Sequence, residues 1–362
     1  MTDKKYADLL LDYCLQVQKG QKLYIKSTTL AEPLLRELYR GGTQRGSHVV
    51  IDMRFSGQNK IFMDNANEEQ LRFSTPNFIE AMHNFDAFLM IRAPFNLKAD
   101  QGIDSSKRKI RSAALKPLNQ AYFDRTASGE LTRSLCQYPT QASAQEAGMS
   151  LEEYRDFVFK ACNLDKPDPL KAWIKVREKQ QSIVDRLDSV DMVRYVGKGT
   201  DISFSVKGRK WINSDGRTNM PSGEVFTGPV EDSVNGFVHF SYPSIFMGTE
   251  VAGISLEVRD GNVIKWSAEQ GSEILDQVFE VDGARRFGEV AIGTNYNIQR
   301  ATKNILFDEK IGGTIHMAVG QSYKQTGGLN ESSIHWDMIA EMKNGGQIYA
   351  DGKLIYENGV FL

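Results

Sequence analysis

Apolar and polar residues follow two different periods along the chain, and the period changes near residue 190. Before this point, apolar residues recur mainly at helical spacing, with short apolar runs between the helices. After it, short segments alternate at every second residue and are separated by tight turns, as in half-buried strands. The pattern predicts an α/β N-terminal domain with a helical connecting segment over residues 1–186. It predicts a β-rich α+β domain over residues 187–362.

The N-terminal region contains one predicted βαβ unit. Leu23–Lys26 and His48–Met53 are strand candidates, the second one buried, and the helix between them carries an apolar stripe. Thr29 and Glu32 have the spacing of a capping box at the start of that helix. A strand, a helix and a strand of these lengths favour a right-handed parallel crossover. Phe85–Arg92 is a further predicted strand.

The middle of the chain is predicted to be helical, since no strand pattern stands out between about residues 100 and 190. Ser150 and Glu153 form a capping box that opens one helix. Asp168 followed by Pro169 opens the next, because proline suits the first helical position. This second helix is expected to continue to about Arg186.

Two Asp-Gly pairs mark hairpins in the C-terminal half. Asp260-Gly261 and Asp351-Gly352 each lie between alternating segments. The type I′ turn needs positive φ at both central positions, which Asp-Gly tolerates. Asp201–Val206 alternates in the same way and is a predicted strand.

Composition limits the function classes. The formal net charge is −2 over 362 residues, which argues against a nucleic-acid or membrane-surface partner held by bulk charge. Three cysteines (Cys14, Cys136 and Cys162) lie far apart, so neither a disulfide framework nor a thiolate zinc site is predicted. No apolar run approaches the ~20 residues of a membrane span. The first twenty residues are interpreted as an amphipathic helix, not a signal peptide, and the chain is expected to be cytoplasmic.

Candidate metal chemistry concentrates between residues 289 and 337. On a strand, His335 and Asp337 face the same way, because residues i and i+2 share a side. His316 lies on a neighbouring apolar strand candidate after paired glycines. Taken singly, His316 could be a core histidine, and His335 with Asp337 could be a surface pair. Their occurrence together within one glycine-rich segment favours a role as metal ligands. His48 and His83 lack such company and are interpreted as structural.

Two glutamates interrupt apolar segments in the same half of the chain. Glu224 lies between Gly223 and Val225, and Glu289 stands in a similar apolar run. Buried carboxylates in a domain of near-zero net charge favour a bound cation, although exposed hairpin acids remain an alternative. Carboxylate and imidazole donors without cysteine suit a catalytic zinc, cobalt or manganese site. The residue pattern alone leaves one metal ion and two both open.

The same segments resemble the aminopeptidase T / aminopeptidase S family of metallo-exopeptidases. The C-terminal half of the chain matches the family nearly continuously. The N-terminal third matches more loosely and is shorter than in typical members. The resemblance is carried by GRKWINSDGRTNMPSGEVFTGP (208–229), FGEVAIGTN (287–295), ILFDEKIGGTIHMAVG (305–320), HWDMI (335–339) and YPTQASAQEAGMSLEEYRDFVFKA (138–161).

The resemblance implies a two-metal catalytic centre in the C-terminal domain. It implies divalent zinc, cobalt or manganese, short peptide substrates and a homodimer with an enclosed cavity. Tyr323 enters the ligand set through the resemblance alone. The implied metal ligands are Glu224, Glu289, His316, Tyr323, His335 and Asp337.

The predicted function is a metal-dependent aminopeptidase that removes the N-terminal residue of short peptides with a water activated by two metals. Glu224 and Glu289 are the candidate catalytic residues, and the sequence does not divide metal bridging from general-base duty between them. Two alternatives stay open. One is another two-metal hydrolase, an amidase or a phosphoesterase, and the other is a non-enzymatic peptide-binding protein with a degenerate site.

Overall fold

The computed structural model describes residues 2–246 and 248–362. A π-helical turn at Leu10–Cys14 follows the first helix, and 3₁₀ turns lie at Thr29–Ala31 and Lys324–Thr326. The α-helices are α1 Thr2–Leu9, α2 Glu32–Gln44, α3 Gln58–Asn65, α4 Glu68–Arg72, α5 Pro76–Asn84, α6 Ser105–Ser128, α7 Gln141–Glu146, α8 Leu151–Ala161, α9 Pro169–Leu187, α10 Ser272–Val278 and α11 Ile305–Asp308.

The strands form one parallel sheet in the N-terminal part and antiparallel sheets after it. They are β1 Lys22–Thr28, β2 His48–Arg54, β3 Ala87–Arg92, β4 Thr132–Gln137, β5 Met192–Gly197, β6 Thr200–Ser205, β7 Ile212–Ser214, β8 Asn219–Met220, β9 Glu224–Thr227, β10 Asn235–Phe240, β11 Ser244–Phe246, β12 Thr249–Val251, β13 Ile254–Arg259, β14 Asn262–Ser267, β15 Phe287–Gly293, β16 Thr314–Gly320, β17 His335–Glu341, β18 Gln347–Ala350, β19 Lys353–Glu357 and β20 Val360–Phe361.

The parallel sheet has the strand order β2-β1-β3-β4-β8. β1 pairs with β2 in parallel, with Lys22 opposite His48, and α2 connects the two strands. The predicted βαβ unit and the predicted fold class are therefore confirmed. The strand predicted at Phe85–Arg92 is β3, and it pairs in parallel with β1 on one side and β4 on the other.

Three details of the N-terminal prediction are wrong. β2 is an edge strand whose residues are half-buried or exposed, because the sheet ends there. β4 lies in the region where no strand was expected; its sequence TRSLCQ is largely polar, and pairing with β3 and β8 makes it a strand. The Thr29–Glu32 capping box does not form, since Thr28 caps the 3₁₀ turn by accepting from the Leu30 amide.

The other predicted helix starts and hairpins are confirmed. Ser150 and Glu153 form the capping box of α8, and the Asp168 carboxylate accepts from the Lys171 amide at 3.0 Å at the start of α9. Asp260-Gly261 joins β13 to β14, and Asp351-Gly352 joins β18 to β19. All four of these turn residues have positive φ, as type I′ turns require.

Two of the antiparallel sheets provide most of the C-terminal scaffold. One has eight strands in the order β14-β13-β10-β6-β5-β18-β19-β20, and the other has five in the order β17-β16-β15-β9-β7. Alternate residues of β15 and β16 (Val290, Ile292, Met317 and Val319) belong to a continuous apolar core that includes Trp336 of β17. The residues between them on β15 and β16 therefore face away from this core.

The chain folds into two compact units. One consists of the residues up to Lys171 together with Gly216–Pro221, and the other of Ala172–Asp215 together with Ser222–Leu362. The short strand β8 belongs to the first unit, because it pairs with β4. The proposed domain boundary at residues 186/187 stays a prediction. Among the described residues, none of the helices combines the length and apolarity that crossing a membrane requires.

Candidate metal centre

Four adjacent strands of the antiparallel sheet β17-β16-β15-β9-β7 carry the ionisable residues. Glu224 begins β9, Glu289 lies on β15, His316 on β16, and both His335 and Asp337 on β17. Residues i and i+2 of a strand, and cross-strand neighbours, share a face of a sheet. The pairing register therefore brings these five side chains to the same face, opposite the apolar core.

Small residues occupy the positions between them. Ala318 pairs with Glu289 on one side and with Asp337 on the other, and Ala291 pairs with His316. A larger side chain at either alanine would fill the space into which the carboxylates and imidazoles project. A bulge between Phe287 and Glu289 changes the register next to the carboxylate, and bulges commonly redirect side chains beside functional sites.

One group of potential ligand atoms surrounds His316. Its Nε2 atom lies 3.3 Å from Glu224 Oε2. Glu309, from the turn after α11, completes the group, since one ligand atom from each residue lies within 4.8 Å of the others. His316 is fully buried and Glu224 nearly so. Three donors this close in a buried place suit a single cation.

A second group consists of Glu289, His335 and Asp337. His335 Nε2 lies 3.4 Å from Glu289 Oε2 and 3.6 Å from Asp337 Oδ1. One ligand atom of each residue again lies within 4.8 Å of the others. The two groups are adjacent, because the other oxygen of Glu289, Oε1, lies 3.4 Å from His316 Nε2. Glu289 thus faces one histidine with each oxygen.

A backbone carbonyl fixes the tautomer of His335. Its Nδ1 atom lies 2.8 Å from the carbonyl oxygen of Gln321. A carbonyl only accepts, so Nδ1 carries the proton and donates it. In the neutral imidazole, the lone pair of Nε2 therefore points at the carboxylates. Metal-binding histidines are typically oriented in this way by a hydrogen bond from the other ring nitrogen.

The carboxylates dominate the electrostatics of both histidines. Burial alone would lower the pKa of His316, but Glu289 and Glu224 outweigh it and raise that pKa to about 9. Burial is likewise outweighed at His335, where Asp337 and Glu289 raise the pKa to about 11. Burial raises the pKa of Glu289, yet hydrogen bonds from the two histidines hold it below its ordinary value. The carboxylates of the cluster therefore stabilise positive charge on both histidines.

The donor set fits a divalent metal. Within the described part of the chain, Glu224 Oε2 is a buried carboxylate oxygen without a hydrogen-bond partner, and leaving such an atom unsatisfied is costly. Carboxylates and imidazoles are ligands for zinc, cobalt and manganese. The three cysteines are buried thiols that all lie in the other compact unit. The chemistry of this site is therefore that of oxygen and nitrogen donors.

The ring of Tyr323 packs beside His335 of the second group. The ring centroids of Tyr323 and His335 are 5.0 Å apart, and those of Tyr323 and Phe226 are 5.7 Å apart. Tyr323 is 43% exposed as a whole residue, but partial desolvation of its phenol, together with the Glu289 and Asp337 carboxylates, raises the pKa of Tyr323. The ligand role of Tyr323 stays a prediction, as do those of the other five residues.

Sequence reasoning missed Glu309 and Lys310. Lys310 is fully buried, its Nζ atom lies 3.2 Å from Glu224 Oε1, and it also donates to the Glu309 carboxylate. The available signal was the run Asp308-Glu309-Lys310 between apolar Ile305–Phe307 and Ile311. A charged run beside a glycine pair is ordinarily a solvated turn. Here the turn is packed against the strand that begins with Glu224.

The remaining histidines lie elsewhere. His48 and His83 are exposed, and His239 of β10 lies with Nδ1 2.9 Å from the Ser255 hydroxyl. Within the described ranges, none of these three belongs to a group of potential metal ligands. The structure therefore gathers the predicted residues and separates them from the other histidines.

Comparison with known proteins places the chain in a known family. The model of the family described as thermophilic metalloprotease (M29) matches residues 2–361. Aminopeptidase 2 of Geobacillus stearothermophilus is 28% identical over 92% of this chain and 90% of its own length. Aminopeptidase T of Thermus thermophilus is 26% identical over 96% of this chain and 95% of its own length.

A solved structure shows the same fold. Wild-type AmpT from Thermus thermophilus superimposes with a TM-score of 0.86, covering 100% of this chain and 99% of that one, at 23% identity. The resemblance found in the sequence is confirmed, and a metalloprotease family implies a divalent metal. The chain belongs to the thermophilic metalloprotease (M29) family.

Proposed function

We propose that this chain is an aminopeptidase that uses two divalent metal ions to remove the N-terminal residue of short peptides. The observation that carries the proposal is the pair of adjacent ligand groups, which meet where His316 Nε2 lies 3.4 Å from Glu289 Oε1. Catalytic metal pairs are ~3.5–4 Å apart, so their ligand groups must be adjacent. The relatives compared above are named aminopeptidases.

The proposed ligands divide between the two groups. Glu224 and His316 would hold one metal, and His335 and Asp337 would hold the other. Glu289 joins the two groups, because it faces a histidine of each with one of its oxygens. Tyr323 completes the set from the loop after β16, beside the His335 ring. The metals are zinc, cobalt or manganese, in keeping with carboxylate and imidazole donors.

When bound, such ions supply Lewis acidity and make water nucleophilic near neutral pH. The chain's own residues position the reactants and handle the proton. Glu224 and Glu289 are the proposed catalytic residues, since both are buried carboxylates within 3.4 Å of His316. Either one can hold the proton that water releases and pass it to the leaving amine.

A free α-amino group distinguishes the substrate. The free amine can bind to a metal or to one of the carboxylates of the two groups (Glu224, Glu289, Glu309 and Asp337). This supports cleavage next to the amino terminus instead of within a chain. The homodimer implied by the resemblance, and the cytoplasmic location expected from the sequence, are part of the same proposal.

The test compares one dipeptide amide with its N-acetylated form, with and without a chelator and after restoring Zn²⁺, Co²⁺ or Mn²⁺. We expect hydrolysis of the free-amine substrate alone, its loss on chelation and its recovery with metal. His316→Ala and Glu289→Gln should both be inactive. His239→Ala, which removes a histidine bonded to Ser255, is the matched control and should retain activity.

The outcomes separate the rival classes. Chelator-insensitive hydrolysis, or full activity in both site variants, would contradict the metal mechanism. Cleavage of the acetylated substrate at an equal rate would indicate an amidase, and metal-dependent cleavage of a phosphate ester alone would indicate a phosphoesterase. Peptide binding without any turnover would indicate a binding protein.

A further inference from the structure

The ammonium of Lys310 lies between two carboxylates at the edge of the candidate metal centre. The Lys310 side chain is fully buried, and its Nζ atom lies 3.2 Å from Glu224 Oε1 and donates to Glu309. Glu224 and Glu309 belong to the ligand group of His316. The lysine ammonium thus binds two of the three residues in the ligand group around His316.

The backbone fixes this lysine in place. The Lys310 amide donates to the Phe307 carbonyl at 3.0 Å, and the Lys310 carbonyl accepts from the Asn295 amide at 3.0 Å. The Gly312 amide donates in turn to the Asn295 carbonyl, also at 3.0 Å. The turn after α11 is therefore anchored to the chain that leaves β15. Because the main chain is held on both sides, the ammonium position is built into the fold.

The ammonium affects the two carboxylates differently. At Glu224 it binds Oε1, which leaves Oε2 buried, without a hydrogen bond from the described residues and 3.3 Å from His316 Nε2. At Glu309 it binds Oε1 of a side chain that is 16% exposed, less buried than the 7% of Glu224. Glu224 Oε2 therefore faces His316, whereas the Glu309 carboxylate stays paired with the lysine.

We propose that Lys310 is a positioning residue that keeps Glu309 from becoming a further ligand of the metal centre. The inference rests on the proposed function, since it concerns the same metal centre. A catalytic metal needs an open coordination position for water or substrate. Glu309 is close enough to fill such a position, and its pairing with Lys310 prevents this. The sequence Glu309-Lys310 thus supplies a carboxylate together with its neutralising partner.

Removal of the ammonium should then strengthen metal binding and weaken catalysis. In Lys310→Met, Glu309 loses its cation and becomes a ligand of the first metal. We expect Co²⁺ to bind roughly tenfold more tightly and kcat to fall about 10–100-fold, the range known for residues next to metal ligands. A merely structural role of Lys310 predicts the opposite sign for affinity, because a disordered site binds metal more weakly.

The experiment measures Co²⁺ affinity by competition with a chromophoric chelator, the visible Co²⁺ spectrum, and kcat and KM of the loaded enzyme. The variants are Lys310→Met, Lys310→Arg, Glu309→Gln and the double variant Lys310→Met/Glu309→Gln. Lys303→Met is the matched control, since it breaks a lysine–glutamate pair with Glu250 (2.6 Å) outside the two ligand groups. This control should leave affinity, spectrum and kcat unchanged.

The expected signature is specific to Glu309. Lys310→Met should show weaker visible absorption, because a higher coordination number lowers the absorptivity of Co²⁺. The double variant should lose both the spectral change and the tighter binding, and Lys310→Arg should resemble the wild type. Glu309→Gln alone should bind Co²⁺ with wild-type affinity, a measurement that holds even where Lys310→Met does not fold.

Weaker Co²⁺ binding by Glu309→Gln would overturn the inference, because Glu309 would then already be a ligand. So would a Lys310→Met protein that binds Co²⁺ no more tightly than the wild type. Failure of the proposed function would look different. In that case the wild-type chain itself would bind no Co²⁺ at this site and would show no chelator-sensitive hydrolysis.

Discussion

His316 Nε2 lies 3.4 Å from Glu289 Oε1, and this contact joins the two ligand groups across β15 and β16. The other oxygen of Glu289 lies 3.4 Å from His335 Nε2. Glu289 is therefore the central carboxylate of the cluster. With protons on the histidines it is their counter-ion, and in the proposed enzyme it lies between the metals. Loss of the Glu289 charge should therefore affect both the metal-free and the metal-bound protein.

Glu289→Gln is expected to destabilise the metal-free protein and to abolish activity. The metal-free form loses two buried charge-assisted contacts, and one hydrogen bond to a charged group contributes about 1.5–3 kcal/mol. The loss of activity should exceed the ~100-fold seen when groups next to a ligand are removed. Urea unfolding with a chelator, and peptidase assays with metal, measure the two effects.

Glu257→Gln is the matched control for this variant. Glu257 lies on β13 and pairs with Lys265 at 2.7 Å on the surface, so its loss should change neither quantity. Equal unfolding midpoints for the wild type and Glu289→Gln in the presence of chelator would show that the carboxylate does not hold the histidines.

The metal-free protein should lose stability as the pH rises. The pKa of His316 is about 9 in the folded chain, against about 6.5 for an unperturbed histidine. A raised folded pKa stabilises the fold fully below about pH 6.5, and this contribution is lost as the pH passes through 9. From pH 7 to pH 10, His316 should account for about 2–3 kcal/mol of lost unfolding free energy.

Chemical denaturation with a chelator at several pH values measures this dependence. His316→Gln should show a smaller decline, because the titrating group is absent. Added metal must displace the protons of His316 and His335, so its binding at pH 7 should release protons, which calorimetry in buffers of different ionisation enthalpy detects. A decline of equal size in His316→Gln, or metal binding without proton release, would contradict the cluster electrostatics.

Gly320 is expected to tolerate no side chain. It ends β16 opposite His335 with φ +97°, and a Cβ atom there would lie 2.0 Å from the Ile334 carbonyl oxygen. Gly352 has a similar φ of +79° but open space around it. Both alanine variants carry the backbone cost of about 1–2 kcal/mol for left-handed conformation. Gly320→Ala adds the overlap, which must displace β17 and with it His335.

Thermal unfolding and Co²⁺ titration of the two variants separate these contributions. Gly320→Ala should be clearly less stable than Gly352→Ala and should bind Co²⁺ more weakly, whereas Gly352→Ala should bind normally. Equal stability and equal affinity of the two variants would show that the close approach at Gly320 does not position His335.

Local patterns predicted the parts of the site that local geometry determines. Strand alternation places His335 and Asp337 on one side and Trp336 on the other, and the structure has Trp336 stacked on Phe246 while His335 and Asp337 face each other. The Asp-Gly hairpins form for the same reason, since each depends on the conformations of two residues. Such features need no knowledge of distant contacts.

Features that depend on distant contacts were missed. Glu309 and Lys310 look like a solvated turn in sequence, and their approach to Glu224 follows from the pairing of the Asn295 and Lys310 backbones. β4 is a strand because β3 and β8 flank it, and β2 is an edge because it stands at the end of the sheet order. Tertiary pairing decides each of these cases, and it leaves little trace in local periodicity.

The most direct test of the account is the anomalous scattering of crystals grown with Zn²⁺. We predict two peaks per chain about 3.5–4 Å apart, one beside Glu224 and His316 and the other beside His335 and Asp337, with Glu289 between them. A single peak, or peaks remote from Glu289, would contradict the two-metal centre on which the proposed aminopeptidase rests.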